Sequence, residues 1–198
     1  MKKYFALYFL IVIYPFDCYS QLAGYYTVGG ANANFPSLEV ALNALYSQGI
    51  SDDVVFALNP GTYNGFTMSY QIPGSSNANT FQLQSATLDS NDVYINGSTI
   101  LQWCSHVRLK GMTFISNNEY ALQINWSSDL IINGNSFRGG VNINADSKLY
   151  FDDNIVTRSC YIFYAESASG NIFYADNCVT VQTYKFENNK VFAPAFCG

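Results

Sequence analysis

A chain of 198 residues is long enough for one domain with its own core. Its net charge of −5, with no basic run, disfavours nucleic acid and anionic membrane as partners. Only 12% of residues are charged while 17% are aromatic, and Asn and Gly are plentiful, which suits many short strands joined by tight turns.

The chain opens on a targeting pattern. Lys2 and Lys3 precede an apolar and aromatic run from Tyr4 to Tyr14, which Pro15 and Asp17 end. The run is shorter than the roughly 20 apolar residues of a membrane-spanning helix. Cys18 and Ser20 place small residues before a cut at Gln21, whereas Phe16 and Asp17 fit poorly ahead of a lipidated Cys18. Residues 1–20 are therefore read as a signal peptide and 21–198 as one exported domain. Taking Lys2, Lys3 and Asp17 from 9 basic and 14 acidic residues leaves 7 and 13, a net of −6. Export permits disulfides, but the pairing of Cys104, Cys160, Cys178 and Cys197 stays open, as does the reading of buried free thiols.

One helix is predicted over Leu38 to Tyr46. Ser37 can cap it, Leu38, Ala41, Leu42 and Leu45 form one apolar stripe, and Gly49 follows its end. Strands are predicted at Val54–Leu58 and at Thr80–Ala86. Asn59-Pro60-Gly61-Thr62-Tyr63 turns the chain after the first, with Gly61 as a structural residue. Residues 73–79 read as a polar surface loop.

From Asp92 a weak repeat sets in. Segments starting at Val107, Leu130, Leu149, Ile172 and Tyr184 share the frame apolar, any, apolar, any, turn, Asn, any, apolar. Their starts lie 23, 19, 23 and 12 residues apart. Repeats of about 20 residues imply a solenoid, in which stacked coils bury a core that no single coil can bury. Leu122 and Ile124, Val141 and Ile143, and Val179 and Val181 are the expected inward pairs of second strands. Asn135, Asn154, Asn177 and Asn189 share one frame position, where Asn tolerates a left-handed corner and can bond from coil to coil. Met112 interrupts that column. The offset of 12 is too short for a coil, so either Ile172 or Tyr184 is out of frame or the coil is distorted.

With these segments the chain resembles the pectin-lyase-like family of right-handed parallel β-helices. The resemblance is carried by Val55-Phe56-Ala57-Leu58-Asn59-Pro60-Gly61-Thr62-Tyr63 after a short helix, by Val93-Tyr94-Ile95-Asn96-Gly97, and by Ser105 to Phe114. Tyr25 to Phe35 resembles the opening of such domains in surface proteins of gram-negative bacteria. It covers 25–192 and implies an all-β right-handed parallel β-helix with one N-terminal capping α-helix, secreted or at the cell surface. No C-terminal cap is visible, which implies a piece of a longer protein with further domains, or a partner at that end. Family members include polysaccharide lyases, hydrolases and domains without catalysis, so the fold does not choose among them.

The outward positions map two columns. One reads Arg108, Ile131, Tyr150, Phe173, Lys185; the other reads Lys110, Asn133, Asp152, Ala175, Glu187. For an enzyme the candidate catalytic residues are Asp152 and Asp153, the best carboxylate pair, with Lys110 and Arg108, and His106 beside them could serve as a base in that basic patch. Tyr150, Phe173 and Trp126, with Tyr161 nearby, are candidate rings for stacking on sugars. No metal site, phosphate loop or Ca²⁺ loop motif occurs, and no cofactor is expected. The preferred reading is a non-catalytic scaffold or adhesin with weak binding to a polysaccharide or cell-surface glycan. The alternative is a polysaccharide lyase or glycoside hydrolase.

Overall fold

The computed structural model describes residues 20–174 and 179–192; of Asn118 and Glu119 only the backbone is described. Residues 1–19 of the predicted signal peptide, and Ala175, Asn177, Cys178 and Cys197, lie outside the described residues.

In chain order the elements are β1 (Leu22–Val28), α1 (Leu38–Gln48), β2 (Ile50–Leu58), β3 (Gly61–Asn64), β4 (Thr67–Met68) and β5 (Phe81–Ser85). Then come β6 (Val93–Asn96), β7 (Thr99–Gln102), β8 (Ser105–Lys110), β9 (Thr113–Asn125), β10 (Ser128–Asn133) and β11 (Ser136–Asp152). The chain continues through β12 (Ile155–Val156), β13 (Cys160–Ser169), β14 (Ile172–Phe173), β15 (Val179–Glu187) and β16 (Lys190–Val191).

The helix forms where its stripe predicts. Ser37 Oγ accepts from Val40 N at 3.3 Å, and Gly49 at φ 70° closes the end by donating to Leu45 O. Leu38, Ala41, Leu42 and Leu45 are buried against the first strands, so α1 seals one end of the apolar core.

All the strand pairs are parallel, and the sheet curls on itself along three strand lines. The first joins β1, β2, β5, β8 and β10 to the closing parts of β11, β13 and β15. The second joins β3, β6, the openings of β9 and β11, then β12, β14 and β16. The third joins β4, β7 and the remaining parts of β9, β11, β13 and β15. Alternate side chains point inward. Phe56, Leu83, Leu109, Ile132, Phe151 and Ala168 form one buried column, and Ile95, Phe114, Phe137, Val156 and Phe173 form another. Phe114 and Phe137 stack with ring centres 5.1 Å apart.

The repeat frame has a sharper basis than Asn in a left-handed corner. The left-handed residue is the one before the rung position: Gly111 before Met112, and Gly134, Asp153, Gly170 and Asn188 each before an Asn, with φ between 55° and 69°. Gly, Asp and Asn adopt that conformation at least cost. The Asn that follows is turned inward. Asn135 Oδ1 accepts from Met112 N at 3.0 Å, Asn154 Oδ1 from Asn135 N at 3.0 Å, Asn171 Oδ1 from Asn154 N at 2.8 Å and Asn189 Oδ1 from Asn171 N at 2.9 Å. Each amide nitrogen in turn donates to a backbone carbonyl of the previous coil, as Asn154 Nδ2 does to Ile132 O at 2.8 Å. These rungs satisfy buried backbone donors at a corner where the ladder is broken.

The third rung is Asn171, and Asn177 lies outside the described residues. The frame predicted from Ile172 is therefore shifted. Coil rungs are 19, 17 and 18 residues apart, so the chain contracts after Asn154. The contraction occurs between Phe163 and Ala165, where Tyr164 alone spans a corner that takes four residues in the coil before. Among the described residues, Cys104 and Cys160 are buried free thiols.

Candidate functional site

On the first strand line the outward columns run Gln82, Arg108, Ile131, Tyr150, Ser167, Lys185 and Gln84, Lys110, Asn133, Asp152, Ser169, Glu187. Ser167 and Ser169 take the places predicted for Phe173 and Ala175. Phe173 belongs to the second strand line, where it is buried and stacks on Phe186, so it is not available to a ligand. Tyr150 is exposed, half-way along its column.

The carboxylate pair does not converge. Asp152 Oδ1 accepts from Ser167 Oγ and Ser169 N, both at 2.8 Å, on the following coil. Asp153 Oδ2 accepts from Asn133 Nδ2 at 3.2 Å, on the preceding coil. Both are tied into coil stacking. Arg108 and Lys110 line a shallow depression of about 270 Å³ with Gln82, Ile131 and Asn133, without an acidic partner among its lining residues. No group of three His, Cys, Asp or Glu side chains comes together among the described residues.

His106 does have a partner that the sequence did not suggest. Its Nδ1 lies 2.5 Å from Asp129 Oδ2, one coil away. Both residues are left-handed, with φ 62° and 52°, and the Ser105 and Ser128 hydroxyls bond beside them at 3.0 Å. The matching triplets Ser105-His106-Val107 and Ser128-Asp129-Leu130 carried the signal for this pair.

Three residues earlier in each coil lies the most distinctive surface feature. Trp103 and Trp126 occupy the same corner, between the third and first strand lines, at φ 52° and 48°. An L residue in this conformation costs about 1–2 kcal/mol, and a bulky one is a genuine outlier. The conformation turns both indoles outward: they are 49% and 52% exposed. Their ring centres are 5.4 Å apart with planes at 12°, and Tyr70 extends the stack at 6.2 Å and 19° from Trp103.

The floor beneath these rings is rigid. Trp103 N donates to Asn125 O, Trp126 N to Asn144 O, and Cys104 N to Ser127 Oγ at 3.1 Å. Cys104 Sγ donates to Met68 O at 3.2 Å, and burial pushes its thiol up to about 11, so it stays protonated at neutral pH. Tyr46 Oη donates to Tyr70 O at 3.0 Å and fixes the third ring from behind. On the next coil Ala145 turns into the core, which leaves Asn144 and Asp146 exposed beside Trp126. Exposed Tyr164 follows at the same corner on a later coil, and exposed Tyr184 stands just past the corner of the coil after it, beside a depression of about 290 Å³.

No family model, curated protein or solved structure matches this chain. The function must be read from the surface alone. Of the predicted rings, Trp126 stands in this ridge; Tyr150 lies on another face, and Tyr161 on the third strand line. Tyr70 and Trp103 were missed. The pair Trp103-Cys104-Ser105 and Trp126-Ser127-Ser128 repeats at the same interval of 23 as the coil, and that was the available signal. Among the described residues no helix is long and apolar enough to cross a membrane.

Proposed function

We propose that this chain is an exported right-handed parallel β-helix domain of the pectin-lyase-like kind, secreted or held at a bacterial surface. It serves as a non-catalytic scaffold or adhesin, and the Tyr70–Trp103–Trp126 ridge gives it weak affinity for glycans. The observation that carries this reading is the ridge itself. Three rings are exposed at a solenoid corner, two of them in a backbone conformation that opposes stability. Strain of this kind gathers at sites that function requires. Ring faces and edges bind the apolar C–H faces of sugars, while Asn144 and Asp146 stand near Trp126 to take hydroxyl hydrogen bonds. The two stacked pairs cover much of each other's faces, so affinity rests on the outer faces and edges and is weak. The test is a titration of the exported chain with soluble neutral polysaccharides, read by tryptophan fluorescence. Saturable binding that Trp126→Asn abolishes supports the reading.

One observation favours a second reading, a polysaccharide lyase or glycoside hydrolase. The His106–Asp129 pair holds an imidazole in a set orientation two residues from Arg108. General-base chemistry needs such an oriented group within reach of substrate. Release of unsaturated or reducing ends by the chain, lost in His106→Ala, would decide for it.

A further inference from the structure

The second and third strand lines begin one coil later than the first. On the first line β1 precedes β2, whereas β3 pairs only with β6, and β4 only with β7, among the described residues. The helix α1 stands beside β3 instead. A helix satisfies its backbone internally and offers a neighbouring strand no ladder. Between α1 and β3 the fold leaves a groove of about 520 Å³.

Parity sets what β3 presents to that groove. Gly61 N donates to Asp92 O and Gly65 N to Asn96 O, both at 2.8 Å and both toward β6. The N–H and C=O of one strand residue point to the same side, and the side alternates along the strand. Tyr63 therefore also faces β6, while the backbone groups of Thr62 and Asn64 face away from it, into the groove. From the other side α1 lines the groove with buried Leu38 and Leu42, and half-buried Phe66 adds a third apolar surface. Glu39 is the one charged side chain among the lining residues; it is exposed and makes no ion pair among the described residues. A strand edge beside apolar side chains is the setting in which an extended peptide adds to a sheet.

We propose that this groove takes an extended basic segment of a partner protein as one added strand. The segment is as long as β3, which has four residues. Its backbone exchanges hydrogen bonds with Thr62 and Asn64. Its apolar side chains rest on Leu38, Leu42 and Phe66, and a Lys or Arg between them meets Glu39. The net charge of −5 on the whole chain draws a partner of the same positive sign. Affinity lies in the backbone bonds, and choice of partner lies in the alternation of apolar and basic side chains.

The probe is a fluorescein-labelled peptide, Val-Lys-Val-Lys-Val, titrated into the full chain by fluorescence anisotropy. Amide hydrogen exchange, read residue by residue, locates the contact. The expected result is saturable binding with exchange slowed at Thr62 and Asn64 and unchanged at Tyr63. Methylating the peptide nitrogens at alternate residues should abolish binding in one phase and spare it in the other, because an edge engages only one set of N–H groups. Glu39→Gln should weaken binding about threefold, the share of an exposed ion pair, without moving the melting temperature. The proposal is overturned by absence of binding, by protection away from β3 and α1, by equal loss in both methylation phases, or by unchanged affinity in Glu39→Gln. It is also overturned if Thr62 and Asn64 are already protected without peptide, which would make another part of the chain or a second copy the occupant.

Discussion

Two corners of the same coils use the left-handed backbone in opposite ways. At the Asn corner the left-handed residue is Gly, Asp or Asn, which takes the conformation cheaply, and the next side chain turns in to bond between coils. At the aromatic corner the left-handed residue is Trp, which takes it at a cost, and its ring turns out to water. The first corner is built for stability. The second forgoes stability to keep rings at the surface, and that is why it, rather than any titratable cluster, is the place to look for function.

The comparison breaks most visibly at Asn154. Replacing it with Ala strips the acceptor from Asn135 N and the donor from Ile132 O, both buried. Unfolding free energy should fall by about 2–4 kcal/mol, the cost of two orphaned backbone groups, measured by urea titration. Loss of well under 1 kcal/mol would mean that water replaces the rung.

A gain is expected inside the third strand line. Thr99 sits where the next coils place Leu122, Val141 and Cys160, and its Oγ1 is buried with no hydrogen-bond partner among the described residues. Thr99→Val should raise stability by about 1 kcal/mol in the same titration. No gain would show that the hydroxyl is satisfied.

Trp126→Asn sharpens the contrast. Asn accepts the left-handed corner better than Trp, which offsets the lost ring contact. Thermal unfolding should move by less than about 0.5 kcal/mol, while glycan binding disappears. A large destabilisation would make the ridge structural.

The smallest effect is at Asp53, whose carboxylate is held below the usual range by hydrogen bonds from the Thr80 hydroxyl at 2.7 Å and the Thr80 backbone N–H. A depressed folded pKa gives stability above the ordinary carboxylate range that is lost as pH falls through the folded value. Asp53→Asn should flatten that acid limb slightly, because the group lies near water. An unchanged limb would contradict the assignment.

Much of this was legible beforehand. The α1 stripe and its caps are local signals, and the turn-Asn frame exposed the stacking because each coil repeats one corner. The frame slipped at the fourth coil for a physical reason. Ala165, Ser167 and Ala168 are small and do not look like a core strand, while Ile172 and Phe173 do, so the wrong segment was aligned. The candidate site was less legible. Phe173 was misplaced by that slip, Asp152 and Asp153 were adjacent in sequence but tied to different coils, and Tyr70 lies outside any repeat unit. Only the matched tryptophans were within reach, through their shared interval.

The most direct test is titration of the chain from Gln21 onward with neutral polysaccharides, following tryptophan fluorescence and new chain ends together. The expected result is saturable binding without cleavage, abolished in Trp103→Asn and Trp126→Asn and retained in His106→Ala and Asp152→Asn. Cleavage that His106→Ala removes, or binding indifferent to both tryptophans, would contradict it.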